Sequence, residues 1–183
     1  MKELFAGLLG ILVGFIVLII LFVVVIYNKL VHLRNTVQSS WYNIDVWLTR
    51  RNDVVTNLLE TVKGYAFLEQ SVFEKVSEAR SAAMKASSPK EQAKAENVFR
   101  DVLKKLLIAT ETYPELKADA NFMQLQSRLQ GIEENIKFAE KSYNSYVYDL
   151  NNLIGSFPSN IIASSFKFAK EEFFWLESPD ADT

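Results

Sequence analysis

The sequence has no cysteine and a single histidine, and these two scarcities exclude several kinds of chemistry. Without cysteine the chain has neither disulfides nor a thiolate nucleophile. With only His32, the Cys-His and Ser-His-Asp arrangements have no base, and a zinc or transition-metal site lacks its usual ligands. We therefore predict a protein that is not an enzyme, with no catalytic residue, no metal and no cofactor.

Glycine and proline are also rare, with six and four copies in 183 residues. The glycines are too sparse for a phosphate-binding loop of either common pattern. The net charge of −2 and the lack of a long basic run do not indicate a surface that binds nucleic acid. We expect neither a nucleic-acid partner nor a small-molecule substrate.

One long apolar run lies at the N-terminus, where no charged residue occurs between Glu3 and Lys29. As a helix, residues 4–27 would be roughly 36 Å long, enough to cross a bilayer with some tilt. The run is longer than a signal-peptide core and shows no cleavage site, so we predict an uncleaved transmembrane helix in residues 1–27. Lys29 and Arg34 follow the span, which predicts a single-pass protein with its N-terminus outside and its domain in the cytoplasm.

Within this run, Gly7, Gly10 and Gly14 fall on nearly one helix face. The spacing of Gly10 and Gly14 lets two membrane helices approach closely, which predicts a packing contact between spans. Glycine is common in membrane helices, so incidental placement is the alternative.

The remaining residues indicate an all-α fold. No glycine or proline lies between Phe15 and Lys63, so we predict that the membrane helix continues unbroken to Lys63. Apolar steps of three and four predict three further long helices, and the short connections favour an up-and-down four-helix bundle over residues 28–155. A homotypic coiled coil is the alternative. A short C-terminal helix is predicted in the aromatic segment 156–176, and residues 177–183 are expected to form a disordered acidic tail.

Local signals mark the ends of these helices. Ser88 and Glu91, with Pro89 between them, form a capping-box pattern that begins the third helix. Asp119 or Asn121 can cap the fourth, whose apolar pattern is the longest in the chain, and Gly155 ends it.

A polar cluster interrupts the apolar stripe of the first bundle helix. Arg51 occupies a stripe position, and Asp45, Asp53 and Asn57 lie near it in sequence. We predict a buried polar network of these residues that fixes helix register or a partner contact, because a charge in a bundle core is costly unless paired. The alternative is an arginine at the edge of the stripe that extends its head to water.

The C-terminal segment is rich in aromatic residues that something must cover. We predict that they form a partner contact or interface, either by capping the bundle as a fifth helix, or against a neighbouring subunit, or at the membrane interface. These residues are Phe166, Phe168, Phe173, Phe174 and Trp175.

Several short motifs in a fixed order resemble one known family, the LemA proteins. They lie at residues 27–35, 41–51, 60–66, 79–81, 113–118, 122–130, 143–144 and 157–160. The resemblance implies a single-pass protein of the bacterial cytoplasmic (inner) membrane with a four-helix domain. The family has no established enzymatic activity and includes a magnetosome-membrane protein, and its genes often lie near membrane metalloproteases.

These observations favour a non-enzymatic, membrane-anchored helical-bundle protein that self-associates or scaffolds other membrane proteins. Its expected partners are the lipid bilayer, further copies of itself and a membrane protein. The alternative is a monomeric adaptor or regulatory subunit that binds a membrane protease or a signalling protein.

Overall fold

A computed structural model describes residues 1–63 and 70–177 of the chain, without the side chain of Lys2. Within these residues the chain forms six helices and no strand, so the all-α prediction is confirmed. The chain divides into two compact units, with residues 1–38 and 146–171 in unit 1 and the remainder in unit 2. The helices are α1 (Lys2–Lys63), α2 (Gln70–Lys85), α3 (Pro89–Thr110), α4 (Pro114–Ala118), α5 (Ala120–Gly155) and α6 (Ser159–Ser165).

The first helix is continuous from Lys2 to Lys63, as the absence of glycine and proline after Gly14 predicts. Its N-terminal part is apolar enough and long enough to cross a membrane, and residues 3–22 are all exposed. A stripe of α1 is buried in unit 2 at Ile44, Leu48, Val55, Leu58 and Val62. One helix therefore provides both the candidate membrane span and part of a protein core.

The main hydrophobic core lies in unit 2, and all four long helices contribute to it. The short helix α4 adds Leu116. These helices occur where the apolar spacing predicts them, while their up-and-down order as a four-helix bundle stays a prediction. The core side chains from the long helices are Val55, Leu58, Leu59 and Val62 of α1, Val76 and Ala79 of α2, Phe99, Leu103 and Leu106 of α3, and Phe122, Leu125 and Leu129 of α5.

The predicted helix starts are confirmed in the structure. The Ser88 hydroxyl accepts a hydrogen bond from the Glu91 amide, and Pro89 occupies the first helical turn of α3. The Glu91 carboxylate accepts from both the Ser87 amide and the Ser87 hydroxyl. These bonds, led by the one from the hydroxyl, lower the pKa of Glu91. At the start of α5, Asp119 Oδ1 accepts from the Phe122 amide at 2.9 Å.

The C-terminal helix α6 is shorter than the segment predicted from the sequence. It ends at Ser165, and the next residues close it with a Schellman motif. Lys167 has a φ of 58° and donates its amide to Ser164, while the Phe168 amide donates to Ala163. Residues 168–177 have no regular secondary structure, and residues 178–183 of the predicted disordered tail lie outside the described residues.

Candidate functional site

A buried polar network in unit 2 is centred on Arg51, the only one of the four predicted members that is buried. This side chain is completely buried, and so is Glu96 on α3, to which Arg51 donates through Nη2. Its other terminal nitrogen donates to Glu133 Oε1 on α5 at 3.3 Å. The guanidinium carbon also lies 4.6 Å from the centre of the Phe99 ring, a cation–π contact. Arg51 thereby joins α1, α3 and α5 through one side chain.

Neighbouring polar side chains complete the network. Gln92 donates to the second oxygen of Glu96 at 2.8 Å. Arg100 Nε lies 3.4 Å from Glu133 Oε2. Two arginines thus face two carboxylates, so the cluster carries no net charge. Leaving one of these buried charges without its partner would be costly. A role of the network in fixing helix register stays a prediction.

The partners of Arg51 differ from those that the sequence suggested. Asp45, Asp53 and Asn57 are all exposed. On a helix each residue advances by roughly 100°, so positions two or six residues from Arg51 point to other sides of α1. Asp45 and Asp53 instead line a separate cavity of about 320 Å³ that also contains Arg80.

Sequence reasoning missed Glu96, although a signal for it was present. Glu96 precedes Phe99, Leu103 and Leu106 with steps of three, four and three, so it occupies a stripe position of α3. An acidic residue in one apolar stripe and a basic residue in another predict an ion pair between the two helices. Glu133 gave no such signal, because it lies beside the apolar stripe of α5 and not within it. Its side chain is accordingly only partly buried.

A second feature of unit 2 is its C-terminal segment, residues 172–177, which we call the strap. These residues are not helical, and side chains of α3 and α5 form hydrogen bonds with six of their backbone groups. Asn144 accepts from the Phe174 amide at 2.9 Å and donates to the Phe174 carbonyl at 2.7 Å. Tyr143 donates its hydroxyl to the Glu172 carbonyl at 2.8 Å. In unit 1, Asn151 makes the same pair of bonds to the backbone of Glu171.

The end of the strap is held by three further side chains. Glu140 Oε1 accepts from the Leu176 amide at 3.0 Å. Asn97 accepts from the Glu177 amide at 3.0 Å, and Arg100 donates to the Glu177 carbonyl at 2.9 Å. Arg100 therefore contacts both the strap and the Arg51 network. Burial raises the pKa of Glu140, and the Leu176 amide opposes that rise.

Side chains of the strap alternate between the core and the surface. Phe174 is completely buried and its ring centre lies 5.4 Å from that of Trp41, which in turn contacts Tyr143. The ring of Phe173 stacks on Trp175 at 5.8 Å, and Trp175 is 63% exposed. Of the predicted interface residues in the strap, Phe174 thus belongs to the core, Phe173 is half-buried and Trp175 is exposed.

The other two predicted interface residues lie in unit 1. Phe166 and Phe168 contact the ring of Tyr27 on α1, with centroid distances of 4.7 and 5.9 Å. The guanidinium of Arg34 lies 5.3 Å from the Phe168 ring. The structure therefore places two of the five aromatic residues in unit 1 and three in unit 2.

A cavity of about 470 Å³ lies between α3 and α5 in unit 2, next to the strap. Leu103, Leu107 and Leu129 provide apolar lining, and Arg100 and Glu133 provide charge. In residues 1–63 and 70–177, no group of three His, Cys, Asp or Glu side chains could hold a metal ion. Arg100 and Glu133 on the cavity wall belong to the Arg51 network and are paired with each other. The other charged residues of the wall are Asp101, Lys104, Lys137 and Glu177.

The predicted membrane-helix contact residues are exposed on α1. A Cβ atom added at Gly7, Gly10 or Gly14 would meet nothing within 4 Å. The glycine face is therefore free of intramolecular contacts in the described residues, and its contact with another span stays a prediction.

Comparisons with known proteins find one family and several relatives. The model of the LemA family matches residues 40–183. The magnetosome proteins MamQ 1 and MamQ 2 of Paramagnetospirillum magneticum are each 25% identical to the chain, over 86% of it and 67% of their own length. Protein LemA of Metamycoplasma hominis is 25% identical, over 85% of this chain and 73% of its own. With the apolar span of α1, these matches indicate a membrane-associated helical protein. Since the family model covers most of its length, the chain belongs to the LemA family.

Proposed function

We propose that this protein is a non-enzymatic membrane scaffold that α1 anchors in the bilayer and that associates with further copies of itself. The observation that carries the proposal is that α1 provides both the apolar span and part of the core of unit 2. Its N-terminal residues form an apolar span, and the same uninterrupted helix supplies Val55, Leu58 and Val62 to the core of unit 2. An anchor that is also a core element suits a structural role in the membrane.

The use of the buried ionisable groups supports a structural role. Arg51 and Glu96 pair with each other, and Glu140 holds the backbone of the strap. A catalytic acid, base or nucleophile has to reach a substrate, whereas these groups are occupied by internal contacts. The buried charged side chains of unit 2 therefore hold helices and the strap in place.

An exposed aromatic side chain in unit 2 provides a surface for association. Trp175 is exposed and stacks on the half-buried ring of Phe173. The backbone of the strap that carries them is held by six side-chain hydrogen bonds, from Tyr143, Asn144, Glu140, Asn97 and Arg100. A rigid, exposed tryptophan is typical of residues that dominate binding energy at protein interfaces. In the membrane span, the Gly7, Gly10 and Gly14 face offers a second contact.

The proposal is tested by co-expressing two differently tagged full-length copies and purifying one tag from detergent-solubilised membranes. Recovery of the second tag is expected, and recovery of a single tag would contradict self-association. The chain has no cysteine, so Gly10→Cys locates the span contact by disulfide cross-linking. Leu12→Cys is the matched control, because Leu12 is also exposed and lies roughly 200° around the helix from Gly10.

The same membranes test the alternative of a monomeric adaptor. In that case the tagged protein would be recovered with a different membrane protein and without its second copy.

A further inference from the structure

We propose that α6 and its flanking residues form an interfacial membrane-binding surface, in which Phe157, Ile161 and Phe166 insert into the boundary between headgroups and acyl chains. The occupant is the bilayer that α1 spans. The inference rests on the proposed anchoring of α1 in that bilayer, and it adds a second membrane contact from the opposite end of the chain.

The depth of α6 follows from a ring contact within unit 1. Tyr27 lies at the end of the charge-free run, two residues before Lys29, where an aromatic side chain sits at the membrane–water interface. The ring centre of Phe166, which directly follows α6, lies 4.7 Å from that of Tyr27. Phe166 therefore lies at the level of the interface whenever α1 spans the bilayer.

Burial along α1 supports the same placement. Residues 3–22 are exposed throughout, whereas Val23 and Ile26 are partly covered and Leu30 is completely buried. The protein packing around α1 in unit 1 therefore begins inside the apolar run, before the first charged residue. Part of this packing lies at the depth of lipid, where only apolar and interfacial side chains are tolerated.

The outer side chains of this region have the composition of an interfacial surface. Phe157, Ile161 and Phe166 are exposed by 81%, 56% and 52%. In water these three large apolar side chains would stay exposed, whereas burial in the membrane interface would remove their apolar surface from water, which is favourable. On the inner side of α6, Ile162 and Ala163 are buried, so the helix has one face on the protein and an apolar part on the outside.

Nearby charges suit the headgroup region. Lys167 and Lys170 follow α6 and are exposed, as are Lys29 and Arg34 on α1. Asp149 and Glu171 are the acidic residues described in the C-terminal part of unit 1, so cations are in excess around the proposed surface. Lysine side chains at this level extend their amines toward the phosphates while their stems stay in the apolar boundary.

The test uses the full-length protein in vesicles that contain a lipid-attached quencher at a shallow acyl position. Because the chain has no cysteine, each introduced cysteine carries the only polarity-sensitive fluorophore. The test positions are Ile161→Cys and Phe157→Cys, whose exposed side chains can be replaced without removing a core residue. Val25→Cys marks the span, and Asn35→Cys, about 12 Å further along α1 than Tyr27, marks an exposed position outside it.

The expected result is a loss of fluorescence and a blue shift at both test positions comparable to those at Val25 and well above those at Asn35. A response like that of Asn35 at either position overturns the proposal. So does protection from aqueous iodide without quenching by lipid, because that result means that protein covers the surface. If the label at Val25 is not quenched, the anchoring of α1 itself fails, and a quenched Val25 with an unquenched Ile161 refutes only the inference.

Discussion

Arg51 on α1 and Glu96 on α3 form an ion pair in which neither side chain reaches solvent. Removing two charges from water is costly, and their attraction compensates only when both partners are present. Glu133 and Gln92 provide further hydrogen bonds to the pair. The pair therefore links α1 to α3 in the interior of unit 2.

The first prediction concerns the loss of one partner of this pair. Arg51→Met leaves the buried carboxylate of Glu96 without its counter-ion. We expect the free energy of unfolding to fall by roughly 3–5 kcal/mol. It is measured by urea unfolding of the full-length protein in detergent, followed by circular dichroism.

Two controls distinguish the effect of breaking the buried ion pair from the effect of removing any arginine. The double variant Arg51→Met with Glu96→Met removes both charges and should recover most of the lost stability. Arg50→Met replaces the neighbouring exposed arginine, which lies over Trp47, and should change the stability by roughly 1 kcal/mol or less. Equal effects of Arg50→Met and Arg51→Met would refute the role of the buried pair.

The second prediction concerns the attachment of the strap. Asn144→Ala leaves the buried amide and carbonyl of Phe174 without partners, at a cost of roughly 1–3 kcal/mol for each. Hydrogen exchange at Phe174 and Leu176 should therefore accelerate. Asn151→Ala is the matched control in unit 1, because it removes the same pair of bonds from Glu171 and should leave exchange at Phe174 unchanged.

The third prediction concerns pH. Burial raises the pKa of Glu140, so its contribution to stability is fully present below the unfolded-state pKa and is lost as the pH rises through the folded-state pKa. Glu140→Gln cannot ionise and keeps an acceptor for the Leu176 amide. We expect this variant to be more stable than the parent at neutral pH, with a difference that shrinks as the pH falls below the ordinary carboxyl pKa. Unfolding at a series of pH values measures the difference, and a variant less stable at neutral pH would contradict it.

The fourth prediction separates two neighbouring aromatic residues of the strap. Phe174→Ala removes a buried ring and should cost roughly 3–5 kcal/mol of stability. Trp175→Ser removes an exposed ring and should change the stability by roughly 0.5 kcal/mol or less. If Trp175 is an association contact, the serine variant should instead weaken self-association, as measured by the concentration dependence of the particle mass. Unchanged association would exclude this surface.

The helices could be predicted from the sequence because their apolar residues repeat with steps of three and four. On α5 this spacing correctly selects Phe122, Leu125, Leu129 and Ile136 as buried residues. Continued past the buried Tyr143, the same steps predict Tyr146 as the next buried residue, but Val147 is buried in its place. The side chains that pack against a long helix decide which of its faces is buried. The spacing does not indicate which other helix packs against each apolar stripe.

The long-range polar contacts were harder to predict for the same reason. Arg51 is visible as a charge in a stripe, yet its partner Glu96 is 45 residues away and belongs to another helix. The strap shows no helical or strand period over residues 172–177, and its backbone partners Asn144 and Glu140 resemble ordinary polar residues beside a stripe. The packing of the helices decides these contacts, and a linear pattern does not encode it.

The mass of the full-length protein in lipid nanodiscs, determined particle by particle, tests the proposed scaffold most directly. The protein should occur as assemblies of two or more copies, and they should persist on dilution. Particles that contain a single copy at every protein-to-lipid ratio would contradict self-association and with it the proposed function.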